Sequence, residues 1–418
     1  MIAAAWGLLL QFRGWKTIRV LIVAAGLTAC ATQSRLPEPK EPPSITPSPL
    51  GVPFEILSGS PRGVSAFMGK NGRVQVLAMA QSRDVYHLVI GPKGMEEREV
   101  ILQSASGSNL AVTFDADDQL HAVIGEQHMV LRSDAWSSTS PGPPCGSLVR
   151  VGKTLVCAFL GVHGPSGDSR RIDYYSTYLT MGLPIPIPVR NRKVWLACQS
   201  SGGWLTWGVV DPNAKRDIDE FQIAASNKGT LRVLYTWTRE MMATLAELDL
   251  ATGPAVSDCE TLTRQDPLKA LNGKRVLASG MNGPYYRFDI ATDPVSGDSL
   301  VIGVFVQGSE VKTLLAPADS TEVVDRQVLP NPPALSKGHV RIAPAGDNRF
   351  HVLVHADKGR WLYLAEVDGA WTRPIELGRG SEEVAQIVAA GSSRALAIFP
   401  GDHKLMAEWI ELASVPAN

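Results

Sequence analysis

The stretch from Gly338 to Leu377, GHVRIAPAGDNRFHVLVHADKGRWLYLAEVDGAWTRPIEL, constrains the fold of this chain most. It reads as four short strands: Val340–Ala343, Phe350–Val354, Trp361–Val367 and Thr372–Leu377. The breaks between them, AGDN, ADKG and DGA, are rich in Gly, Asn and Asp, which tolerate the positive φ that tight hairpins require. Four strands joined hairpin to hairpin make a meander, which cannot bury both of its faces alone.

The first hairpin of that unit recurs. Ser65–Met79, Leu110–Ile124, Ser147–Leu160, Val194–Val210, Phe221–Trp237, Tyr286–Phe305, Val340–His355 and Ala385–Phe399 each join two apolar runs through a polar turn. Repeats about 40–50 residues apart are the signature of blades stacked around an axis. The chain is therefore expected to be all-β, a β-propeller of about seven four-stranded blades, with six or eight as alternatives. The copies at Val194 and Phe221 are too close for two blades, and the gap from Phe221 to Tyr286 is too long for one, so an insertion or a split blade is expected. A pair of β-sandwiches would leave the repeats without a reason. Met241–Leu250 fits a helix or a strand.

The 418 residues carry a net charge of −1, without the basic excess that nucleic-acid binding calls for. The 38 Gly and 29 Pro suit a fold made of turns.

The N-terminus reads as an address. Arg13, Lys16 and Arg19 precede a short apolar run, Val20–Gly26, which ends in Leu27-Thr28-Ala29-Cys30. This resembles a bacterial lipobox and implies a signal peptide over 1–29, cleavage before Cys30, and diacylglycerol on the Cys30 sulfur. More than one acyl chain is needed for stable anchoring. Residues 30–53 are expected to be the lipidated Cys and a linker. Thr32–Pro53 carries seven prolines, which favour an extended spacer over a core. Residues 54–418 form the expected propeller domain. Ala31 after the Cys resembles outer-membrane sorting in a Gram-negative cell.

Glu366–Thr372, EVDGAWT, resembles the Asp-box of sialidase-like (BNR-type) propellers at Asp368, Gly369, Trp371 and Thr372. The box Ser is replaced by Glu366, and the order of Trp and Thr is reversed. In that family the box is structural and implies fold, not activity. Sialidase activity would further imply three arginines on different blades with a Tyr nucleophile and a carboxylic acid. Tyr285, Tyr286 and Arg287, or Arg171, Tyr174 and Tyr175, are candidates without a motif that fixes their role.

Other chemistry is sparse. Gly391-Ser392-Ser393-Arg394-Ala395 lies in a hairpin turn with no helix after it, unlike a nucleophile elbow. Phosphate-binding glycine loops are missing. His351 and His355 would share a strand face about 13 Å apart, too far to share a metal. They read as blade packing, with His121 at an equivalent position. Asp115, Asp117 and Asp118 crowd one turn, without calcium-loop spacing. Cys145, Cys157, Cys198 and Cys259 allow three pairings, of which Cys145–Cys157 closes a hairpin-sized loop and is favoured. No metal or cofactor is expected. Trp204, Trp207, Trp237, Tyr286 and Arg287 are the candidate ligand contacts, the Trp faces through sugar stacking if exposed and as blade filler if buried. The expected role is a membrane-anchored envelope module that binds a protein or glycan partner without catalysis; a sialidase-like glycoside hydrolase is the alternative.

Overall fold

The computed structural model describes residues 45–414 except 163–170, 176–184, 190–191, 211–217, 238–242, 250–258, 260–274, 280–284, 306–310, 319–323, 327–338 and a few isolated positions. The signal, Cys30 and the start of the linker lie outside the described residues.

Among the described residues seven antiparallel sheets of four or five strands follow one another along the chain. Blade 1 runs from Gly63 to Leu102, blade 2 from Leu110 to Ser138, blade 3 from Ser147 to Val209, blade 4 from Ile218 to Ser279, blade 5 from Tyr285 to Arg326 and blade 6 from Val340 to Arg379. Blade 7 takes Gln386–Ala389, Arg394–Pro400 and Lys404–Ser414 from the C-terminus. The first strand of each blade lies beside the first strand of the next, and the first strand of blade 7 lies beside that of blade 1. The ring is closed, and the fold is a seven-bladed β-propeller.

Packing explains the sequence pattern. The middle strands of a blade are buried on both faces, so they read as continuous apolar runs rather than alternating ones. In Arg349–Ala356 every residue after Arg349 is buried. The alternation of side chains then sends one face to each neighbour. In blade 6, Phe350, Val352 and Val354 join a cluster with Leu300 and Ile302 of blade 5, while Leu353, Trp361 and Tyr363 join one with Ala397 and Phe399 of blade 7. Among the described residues there are seven such clusters, one for each interface around the ring.

Side chains also hydrogen-bond across these interfaces. The Trp136 indole donates to Glu99 Oε1 at 2.9 Å, from blade 2 to blade 1. The Trp409 indole donates to the Gly91 carbonyl at 2.9 Å, from blade 7 to blade 1. Arg232 of blade 4, fully buried, donates to the carbonyls of Gly297, Ala316 and Pro317 at 3.3, 2.7 and 2.9 Å. The Asp289 carboxylate of blade 5 accepts from the Ile342 amide of blade 6 at 3.0 Å.

Three local findings refine the sequence reading. First, Ile45–Pro49 is a strand, paired from Ile45↔Ser414 to Pro49↔Ile410, and Phe54–Ser58 pairs with Lys404–Ala407. The ring therefore begins at Ile45, inside the stretch read as linker. Pro47 and Pro49 are tolerated because an edge strand needs no second row of donors. Second, Val194–Val210 is not a blade. Arg192–Ser200 pairs with Thr154–Val162, so these residues are the outer half of blade 3, and a separate hairpin, Arg171–Tyr175 with Ile185–Val189, is inserted between the halves. Third, the last strand of blade 6 is split into Ala370–Trp371 and Ile375–Arg379. Pro374, which has no N–H to give the ladder, stands in the gap. The turn before it matches its chemistry: Asp368 and Gly369 have φ of 51° and 81°. Ala243–Asp249, ambiguous in sequence, is a strand.

Candidate functional site

In blades 1 to 4 the ends of the first strands approach one another around a single cavity. In blades 1 and 2 the final residues of those strands are Phe67-Met68 and Phe114. They bound a cavity of about 280 Å³, completed by Asp118 from the following turn, Val149 and Arg150 of blade 3 and Ala225 of blade 4. The two phenyl rings lie 5.6 Å apart, tilted by 54°. Phe67 is 39% exposed. The walls are thus apolar and aromatic, with one cation and one carboxylate among the described residues that line it.

The turn that supplies Asp118 is built on Asp115. Asp115 Oδ1 accepts from the amides of Asp117 and Gln119 at 2.9 and 2.8 Å. The Asp115 carbonyl accepts from Arg150 Nη1 at 2.9 Å, which ties the blade 3 cation to the blade 2 turn. Asp118 itself takes a positive φ of 60°.

Behind this mouth runs a chain of polar groups inside blade 2. Asp115 Oδ2 lies 2.8 Å from His121 Nε2, His121 Nδ1 lies 2.9 Å from His128 Nε2, and Trp204 of blade 3 donates its indole N–H to His128 Nδ1 at 3.1 Å. Thr139 Oγ1 also lies 2.8 Å from His128 Nδ1. Burial lowers the pKa of His121, against the pull of Asp115, and holds His128 down at about 4.

Blade 6 carries a related feature. His351 Nδ1 lies 2.6 Å from the Tyr363 hydroxyl, and burial holds His351 at about 4 and pushes the Tyr363 phenol up. His351 and His355 are both buried; the His355 ring lies 4.8 Å from that of Trp361, tilted by 51°, and has Nε2 3.2 Å from the Gly380 carbonyl. These two histidines serve blade packing. Among the described residues no group of three or more His, Cys, Asp or Glu is arranged to hold a metal ion.

The residues singled out in sequence fall as follows. Trp204 is half-buried and bonded to His128, an interface group rather than an open stacking face. The side chains of Trp207, Trp237, Tyr286 and Arg287 lie outside the described residues. Cys145 is joined to Cys157 and Cys198 to Cys259. The EVDGAWT segment forms the hairpin between the third and fourth strands of blade 6, where Thr372 Oγ1 accepts from the Ala365 amide at 2.9 Å. Sequence reasoning missed Phe67, Phe114 and Arg150. The available signal was position: all three lie within the last two residues of the first strand of their blades.

No sequence-family model matches the chain, and no curated protein matches it. Solved structures do. An ulvan lyase of polysaccharide lyase family PL25, bound to -[GlcA(1-4)Rha3S]-, superposes with a TM-score of 0.53 at 9% identity, over 88% of this chain and 96% of that one. Hydrazine synthase of Kuenenia stuttgartiensis gives 0.50 at 9% identity, over 86% and 97%. At such identities the likeness is one of fold, and it is the β-propeller that this chain shares with them.

Proposed function

We propose that this protein is a lipid-anchored binding module of the bacterial cell envelope that holds a glycan unit at its axial mouth. The observation that carries this reading is the pair of phenyl rings, Phe67 and Phe114, around a cavity of about 280 Å³ with Arg150 and Asp118 beside them. Small-molecule sites occupy roughly 300–1,000 Å³ and combine apolar walls with a few polar groups. A sugar ring offers an apolar face to stack on an aromatic one and hydroxyls for a guanidinium and a carboxylate. The Cys30 lipid and the proline-rich stretch after it would keep the ring attached to, and spaced from, an envelope membrane, the outer membrane in a Gram-negative cell.

Binding to immobilised envelope glycans tests the mouth. Phe67→Ala and Phe114→Ala are each expected to weaken it by about three- to tenfold, the usual worth of an aromatic contact. Phe67→Ala should leave the melting temperature nearly unchanged, because the ring is partly exposed in the folded state. Capture of an envelope protein with no glycan bound would overturn the glycan assignment, and turnover of fluorogenic glycosides would replace binding by hydrolysis. The anchor has its own test: the mass of the mature N-terminal peptide should show a diacylglyceryl Cys30, and an unmodified thiol would remove the membrane from this account.

A further inference from the structure

The Asp115–His121–His128–Trp204 chain has a proton order that its donors dictate. An indole N–H can only donate. Trp204 therefore makes His128 Nδ1 an acceptor, and the single proton of neutral His128 sits on Nε2. That proton faces His121 Nδ1, which must accept, so the proton of His121 sits on Nε2 and is donated to Asp115. With both rings neutral the Asp115, His121 and Trp204 contacts are satisfied, the single lone pair of His128 Nδ1 being shared between the Trp204 N–H and the Thr139 hydroxyl, and burial favours the neutral rings.

An added proton ends with an N–H on His128 Nδ1 whichever ring is charged: His128 can hold both protons with Nε2–H still donated to His121, or the charge can sit on His121 beside Asp115. In the second case His121 keeps its Nε2–H on Asp115 and gains Nδ1–H, which donates to His128 Nε2. In both cases His128 carries a proton on Nδ1, where Thr139 Oγ1 can accept it while the Thr139 hydroxyl donates to the His128 carbonyl, 3.1 Å away. The Trp204 N–H, now facing an N–H, loses its acceptor. The turn built on Asp115 is untouched, but a positive charge has appeared behind the mouth. The charged groups around the pair are Asp115 on the first turn, which favours uptake, and Arg132 on the third strand and Arg150 of blade 3, which oppose it.

We infer that this chain is an acid sensor for the axial mouth: proton uptake frees Trp204 from blade 2 and strengthens the hold on an anionic sugar. The second half of this inference rests on the mouth being the binding site; the first half does not. A charge added at this range is worth on the order of threefold in the binding of an anion.

The test uses the full chain and two probes that differ by one carboxylate, p-nitrophenyl β-D-glucuronide and p-nitrophenyl β-D-glucoside. Between pH 7.5 and pH 4 the glucuronide-to-glucoside affinity ratio should rise about twofold, and the double variant His121→Gln, His128→Gln, which leaves no ring to take up charge, should flatten it. Nitrogen NMR of labelled histidine reads the sensor without any ligand. At pH 7.5 both Nδ1 atoms should be unprotonated, and the Trp204 indole N–H should shift in step with histidine protonation. A protonated His128 Nδ1 at pH 7.5, or a Trp204 signal that ignores pH, overturns the sensor. A titrating Trp204 with neither probe bound at any pH overturns the mouth and the ligand half of the inference, while the proton order stands. A ratio that stays flat with both probes bound overturns the coupling.

Discussion

Removing residues 45–58 is expected to abolish the folded ring. Ile56 and Leu57 are each 1% exposed and sit in the cluster that joins blade 7 to blade 1. Their burial alone is worth about 1.5–3 kcal/mol each. Ile45–Pro49 and Phe54–Ser58 also complete the pairing of Lys404–Ser414, whose Leu405, Ala407 and Trp409 would be left facing water. The combined loss, at least about 5 kcal/mol, matches the whole stability of many domains, roughly 5–15 kcal/mol. The truncated chain should show non-cooperative melting or aggregation, and a peptide spanning 45–58 added in trans should restore part of the transition. Cooperative melting within a few degrees of the full chain would show that the N-terminal strands decorate the ring rather than close it.

Acid is the second large perturbation, and two kinds of buried group set its size. His128 and His351 titrate at about 4 in the folded protein against 6.5 when solvated. As pH falls through 6.5 the unfolded chain takes up protons that the folded one refuses, so stability falls with pH down to about 4. Each histidine accounts for roughly 3 kcal/mol over that window. Glu408 acts in the opposite sense. Burial raises its carboxyl from 4.5 to about 7, so the folded state holds a proton that the unfolded chain loses as pH rises between those values. It stabilises in acid and returns roughly 3 kcal/mol between pH 7.5 and 4. The net loss on acidification should be on the order of 3 kcal/mol, read as a falling melting temperature. Glu408→Gln, which mimics the neutral acid, should raise stability at pH 7.5 and make the acid loss about twice as steep. A melting temperature independent of pH from 7.5 to 4 in both proteins would contradict these assignments.

The sequence revealed local structure wherever local chemistry decides it. The Asp368-Gly369 turn is legible because few residues accept positive φ, and Arg394–Pro400 is legible because a strand covered on both faces must be apolar throughout. What escaped was set by distant partners. Val194–Val210 looks like any other hairpin, and only its pairing with Thr154–Val162, across the inserted hairpin, makes it half of a blade. Ile45–Pro49 looks like linker because its two prolines forbid a central strand, while an edge position tolerates them. The mouth was harder still. Phe67, Phe114 and Arg150 lie on three blades, and no short motif joins them; they converge only because successive blades pack side by side. Asp115 and His121 were noticed as a turn and a packing histidine, but His128 and Trp204 belong to their story through tertiary contact alone.

Because Ile45 pairs with Ser414, the earliest described strand must wait for the last described one. Synthesis delivers residues 45–58 before any of the blades, yet their partner strand emerges only after blades 1 to 6 have been made. Until then blade 1 lacks one neighbour and an unmated edge persists, a long-range closure of the kind that slows folding and invites intermolecular pairing. Assembly should therefore end in a single late, unimolecular step, with concentration-dependent aggregation as its competitor.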